Sequence, residues 1–121
     1  MKEWSVGLMA HLGMRFVEVG PDRVVAELEI KEDLTTVGGA VHGGTLMALA
    51  DTVGAAGTAA MGLRTATLES KTNFFAAAMH GKVRAESTAL HTGRRTHVWQ
   101  TRVTGEDGRL LSLTIQTQMI L

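Results

Sequence analysis

At 121 residues the chain has room for one hydrophobic core, and it is expected to fold as a single domain over residues 1–121. Twelve Lys plus Arg balance twelve Asp plus Glu, so the broad basic field of a nucleic-acid binder is excluded. There is no cysteine, which excludes disulfides, thiolate metal sites and a thiol nucleophile together.

In chain order, residues 1–14 (MKEWSVGLMAHLGM) carry Glu3 and His11 and lack a long apolar core, so neither a signal peptide nor an anchor is expected. No stretch reaches the ~18 uninterrupted apolar residues of a membrane span. A cytoplasmic protein with no membrane partner is the expectation. Residues 13–31 read as two strands broken at Gly20-Pro21-Asp22, which holds the only proline. In the second strand Val24, Ala26, Leu28 and Ile30 share one face, while Arg23, Val25, Glu27 and Glu29 share the other. A glycine-rich segment, TTVGGAVHGG at 35–44, then leads into TLMALADTVGAAGTAAMG at 45–62. There Leu46, Leu49, Ala50, Val53, Gly57 and Ala60 fall on one helical stripe. After Gly62 the period returns to two, giving strands at 65–75, 81–90, 96–104 and 109–120. Glu106-Asp107-Gly108 is the hairpin turn between the last two. Two strands, one helix and four strands imply an α+β architecture: an antiparallel meander with one face covered by a helix.

Between Gly43 and Leu63 the only ionisable side chain is Asp51, about 140° from the centre of the apolar stripe. Its neighbours on that side are Gly44, Met47, Ala48, Ala55 and Thr58, where a lone helix on a sheet would show a solvated polar face. A helix that is small or apolar all round is buried all round, and a chain of this size needs a second copy to do that. A homo-oligomer is expected. Asp51 on its own fits a structural aspartate as well as a functional one.

The helix start offers the complementary half of a site. Its first turn has free N–H groups and partial positive charge, and Gly38, Gly39, Gly43 and Gly44 would let a substrate carbonyl approach the backbone, as an oxyanion hole requires. A tight turn in which glycine supplies positive φ accounts for the same residues. The segment is neither GxGxxG nor the nucleotide-triphosphate loop. Gly43 and Asp51 are eight residues apart, or about 12 Å of helix rise. A nucleophile and an oxyanion donor must both lie ~3 Å from one reacting carbon, so within one helix they cannot cooperate. If both serve one site, they come from different subunits.

Val41-His42-Gly43-Gly44 followed by Leu49-Ala50-Asp51 resembles the V-H-G-G…L-A-D signature of hotdog-fold acyl-CoA thioesterases of the phenylacetate-degradation type. Thr67 to Phe75 resembles the T-x-x-x-x-x-N-F strand that follows, and Gly93-Arg94 the later G-R turn. The resemblance implies a long central helix wrapped by an antiparallel sheet of five to six strands. It also implies dimers or dimers of dimers, sites at the dimer interface, and acyl-CoA or aryl-CoA substrates with no cofactor. Carried over, Gly43 donates its N–H to the thioester oxygen and His42 positions the thioester or the loop. Asp51 of the partner attacks the carbonyl or activates water, and Thr67 orients that water or the carboxylate. Many members have Asn six residues before the His, where this chain has Thr36, whose hydroxyl cannot copy both halves of an amide. Gly44 and Thr36 are placed beside the substrate.

His80, His91 and His97 lack helical metal-ligand spacing, so no metal site is expected. The seven methionines and Trp99 read as core filling. Arg64, Lys82, Arg94 and Arg95 are the cations expected near CoA phosphates, and Phe74, Phe75 and Met47 the side chains expected around the acyl group. The competing functions are an acyl-thioester dehydratase or hydratase of the same fold and a non-catalytic acyl-CoA-binding module.

Overall fold

The strand patterns and the glycine- and alanine-rich helix assemble, in a computed structural model describing residues 4–121, into one sheet curled against one long helix. Met1, Lys2 and Glu3, the last of which weighed against a leader, lie outside the described residues. A short helix α1 (Gly7–Leu12) precedes β1 (Arg15–Val19) and β2 (Arg23–Glu29). A single 3-10 turn (Glu32–Leu34) and the glycine-rich loop lead to α2 (Gly43–Ala59). The chain then runs through β3 (Thr65–Phe74), β4 (Lys82–Thr92), β5 (Thr96–Thr104) and β6 (Leu110–Ile120). α1 was not anticipated. It ends where Gly13 turns left-handed at φ 73°, its N–H bonding to the carbonyls of Met9 and Ala10, and it buries only Met9 and Leu12.

The six strands are antiparallel in the order β1-β2-β4-β5-β6-β3. The expected meander of four is therefore corrected to three, β4-β5-β6, with β3 beside β6 at the edge. The cause is residues 75–81, FAAAMHG, which have no tight-turn chemistry. This segment crosses the molecule instead. Ala78 accepts from Val41 N–H and Gly81 accepts from Ile30 N–H, which delivers β4 to β2.

The core lies between α2 and the sheet. Leu46, Leu49, Val53 and Ala56 meet Val24, Ala26, Leu28, Val83, Ala85, Val103 and Leu111 there. Gly57 lets the helix lie directly on a ring of the sheet: a Cβ there would lie 2.2 Å from the Trp99 ring. Trp99 is fully buried, as expected of a packing residue. Its indole N–H donates to Thr58 Oγ1 at 2.9 Å, and that hydroxyl is 2.9 Å from His97 Nδ1. An indole N–H can only donate, so Thr58 Oγ1 accepts from Trp99 and keeps its proton and a second lone pair to pair with His97 Nδ1. Burial, first, pushes the His97 imidazole below the ordinary histidine value; a hydrogen bond to the Gly93 backbone opposes this, and His91 adds a smaller repulsion. Thr58, read as sharing the side of Asp51, belongs to this buried cluster.

Two other expectations are corrected, and one feature was not anticipated. Val25 is buried although it lies on the charged face of β2. Glu18 and Glu86 flank it across the sheet, and Arg23 bonds both carboxylates, so the ion cluster roofs it. Of the described methionines, Met9 and Met14 are in the core, but Met47, Met79 and Met119 are exposed. In β6 the polar set faces inward: Ser112, Thr114, Gln116 and Gln118 are fully buried, while Ile115 and Met119 on the other face are exposed.

Candidate active site

α2 begins at a loop pinned by three hydrogen bonds to two carbonyls. His42 N–H donates to Leu34 O, Thr45 Oγ1 donates to Leu34 O, and Val41 N–H donates to Ala78 O. His42 is the N-cap, in extended conformation at φ −66° and ψ 137°, and its Nδ1 accepts from Gly44 N–H at 2.7 Å. This cap fixes what the sequence left open: Nδ1 is the acceptor and the imidazole proton sits on Nε2, available to donate outward. A side chain at Gly44 would come within 2.9 Å of that nitrogen. Gly43 N–H, in contrast, has no acceptor among the described residues, as expected of a first-turn amide. The Phe74 ring lies over Gly43, where a Cβ would meet it at 3.1 Å. The helix start, His42 and Phe74 thus form one cluster.

Eight residues along, Asp51 is the centre of another. Thr67 Oγ1 donates to Asp51 Oδ1 at 2.6 Å. Gln116 Nε2 donates to the same Oδ1 at 3.0 Å and reaches the Asp51 carbonyl at 3.2 Å. The single Thr67 proton also has Gln118 Oε1 within 2.8 Å, but the charged and nearer carboxylate is the stronger acceptor. Gln118 Oε1 takes a proton from Gln116 Nε2 at 2.8 Å, and Gln118 Nε2 donates to Thr65 at 2.9 Å. The carboxylate is thus anchored by β3 on one side and by the polar face of β6 on the other.

Asp51 also lines a cleft of about 400 Å³ with Trp4, Val6, Leu8, Met9, Thr52 and Ala55, walled by α1. An adjoining cleft runs from Thr67 and Gln118 past Trp4 and Ala55 to Arg64 and Leu121. The main-chain carbonyls of Arg64 and Arg95 accept the N–H groups of Leu121 and Ile120, so these two residues flank the end of β6; Arg94 sits in the same β4–β5 turn as Arg95. Lys82 does not join them. It stands at the far end of β4, where its N–H bonds to Glu106. Thr36 is on an exposed turn in which its N–H bonds to Ala40 O and its carbonyl accepts from Gly39 N–H.

Of the residues expected at a site, the single chain gathers His42, Gly43, Gly44 and Phe74 at one place, and Asp51 with Thr67 at another. Phe75 is 59% exposed and Met47 39%, and neither lines the cleft beside Asp51. Gln116 and Gln118 were missed. The signal for them was the period-two run Ser112, Thr114, Gln116, Gln118 alternating with the mostly apolar Leu113, Ile115, Thr117 and Met119.

Residues 38–112, most of the chain, match the family profile of the thioesterase superfamily. The chain belongs to that superfamily. Among thioesterase relatives, it is 31% identical to a 1,4-dihydroxy-2-naphthoyl-CoA hydrolase of Listeria monocytogenes, over 90% of this chain and 91% of that one. It is also 31% identical to the 1,4-dihydroxy-2-naphthoyl-CoA hydrolase of Escherichia coli, over 94% and 86%. A crystal structure of a thioesterase from Haemophilus influenzae superposes with a TM-score of 0.93 at 26% identity, covering 99% of this chain and 86% of that one. The fold is the hotdog fold that the signature implied, and thioester hydrolysis is the chemistry of the family.

Proposed function

We propose that this chain is an acyl-CoA thioesterase, acting on aromatic or similarly compact acyl groups at a site built from two copies. The observation that carries this reading is the division of the machinery along α2. A free N–H at Gly43 and a doubly anchored carboxylate at Asp51 are about 12 Å apart on one helix, too far to touch one carbonyl. Two further features support a second copy. β3 is a ten-residue edge strand with one side unpaired among the described residues, a template for pairing with its equivalent. The outward face of α2 carries Met47, Ala48, Thr52 and Ala55, with Asp51 as its only charge, which fits a covered surface better than a solvated one.

In the proposed reaction Gly43 N–H, with His42 Nε2–H beside it, stabilises the negative charge that develops on the thioester oxygen. Asp51 of the other copy either adds to the carbonyl carbon or takes a proton from the water that does. The C–S bond then breaks, water supplies the new acid oxygen, and its proton ends on the leaving thiol. The apolar cleft walled by Trp4, Leu8 and Met9 lies within the usual volume for small-ligand sites and fits the acyl group. The two relatives named for an aromatic CoA thioester support an aromatic one. Arg64, which lines the adjoining cleft, and Arg94 and Arg95 in the β4–β5 turn beside the end of β6, suit the CoA phosphates.

A panel of saturated, enoyl and aromatic CoA thioesters with a thiol-reporting dye tests the reading. Free thiol from saturated and aromatic thioesters is expected. A dehydratase or hydratase would change only the enoyl compound, and a binding module would gain thermal stability without releasing thiol.

A further inference from the structure

Building on the proposed role of Asp51, we infer that Gln116 is its positioning residue: by holding Oδ1, the buried amide makes Oδ2 the oxygen that reacts. Thr67 and Gln116 both donate to Oδ1, at 2.6 and 3.0 Å, while Oδ2 has no partner among the described residues. Two donors on one oxygen fix the rotation of the carboxylate and leave the other oxygen's lone pairs for a carbon or a water proton.

The orientation of the Gln116 amide follows from its surroundings. On the Nε2 side stand three acceptors: Asp51 O, Asp51 Oδ1 and Gln118 Oε1. On the other side Oε1 is buried with no donor among the described residues. Turning the amide over would set Oε1 against a carboxylate, so the protein keeps an orphaned carbonyl oxygen to secure a donor for Asp51. A fully buried glutamine with half its amide unsatisfied is costly as core filling. Gly54 completes the arrangement. A Cβ there would lie 2.4 Å from Gln116 Oε1 and 2.6 Å from its Cδ, so only glycine on this turn of α2 lets the amide reach the preceding turn's aspartate.

The test uses steady-state kinetics on folded protein with the best thioester from the panel. Gln116→Met keeps the length and removes the donor; Gln116→Glu keeps the shape and replaces the donor by an acceptor. Loss of alignment at a reacting atom costs on the order of 10- to 100-fold, so kcat of Gln116→Met should fall by that factor with KM within twofold. Gln116→Glu should fall further. In an Asp51→Asn background Gln116→Met should change the residual rate less than twofold, because Gln116 acts only through Asp51. Gly54→Ala, which displaces the amide from the helix side, should reproduce the kcat loss and serves alone if the Gln116 variants do not fold. Wild-type kcat in folded Gln116→Met, or in folded Gly54→Ala, overturns the inference while leaving Asp51 in place. Near wild-type kcat in Asp51→Asn would instead sink the proposed function itself.

Discussion

Replacing Gly57 by alanine adds one methyl group where the helix lies on the Trp99 ring. Its carbon would sit 2.2, 2.4 and 2.6 Å from Cη2, Cζ2 and Cζ3 of Trp99, where carbon atoms normally rest about 3.5–4.0 Å apart. Helix and strand must therefore part by more than ~1 Å, or the ring must turn. The ring is fully buried, and its N–H is tied to Thr58, the residue after Gly57 on the same helix. Overpacking of this kind costs about 1–3 kcal/mol, and stranding the indole N–H about 1–3 kcal/mol more. Better helix propensity returns about 1 kcal/mol. The net loss is roughly 1–5 kcal/mol, or on the order of 10 °C in Tm by circular dichroism at the middle of that range for a chain of this length. Trp99→Phe removes the clashing ring edge, so Gly57→Ala should be far milder in that background, a coupling of at least ~1 kcal/mol. A Gly57→Ala protein as stable as the wild type would refute the packing described for α2.

Two further outcomes are expected. Because the folded state lowers the His97 pKa, the unfolded chain takes up a proton that the folded chain refuses once pH drops below about 6.5. His97 should therefore cost nothing above that pH and progressively reduce stability below it; the fall in Tm between pH 7 and 5 should be smaller in His97→Gln, and an identical fall would contradict the buried, neutral imidazole. His42→Asn keeps a good N-cap acceptor, so Tm should stay within a few degrees while kcat/KM drops about tenfold or more through loss of the Nε2–H donor. Unchanged kcat/KM would reduce His42 to a capping residue.

How much of this was legible in the sequence depended on where the information lay. Asp51 stood out because every other side chain from Gly43 to Ala59 is uncharged, and the eight-residue spacing to Gly43 follows from helix geometry alone. The strands were readable from their alternation, and their ends fell within two residues of those observed. Their order was not, because pairing β3 with β6 depends on where the crossover 75–81 docks, a tertiary choice. α1 escaped because six residues with only Met9 and Leu12 buried leave hardly any periodic signal. Gln116 escaped for a different reason. Alternation shows that a strand has two faces without showing which is buried, and in β6 the polar face goes inside, where Gln116 meets Asp51.

The proposed division of the active site between two copies is tested most directly by complementation. Asp51→Asn removes the carboxylate from one chain. Gly43→Pro removes the N–H from another at a position that tolerates proline: the first helical residue, preceded by His42 already in the extended conformation proline requires, with the half-exposed Phe74 ring able to shift. Each variant alone should lose at least ~100-fold in kcat. When the two are unfolded and refolded together in equal amounts, half of the dimers are mixed, and each mixed dimer holds one site with both intact halves. Thiol release should then recover to about a quarter of the wild-type rate per chain. A mixture no more active than the sum of its inactive parents would contradict a site shared between subunits.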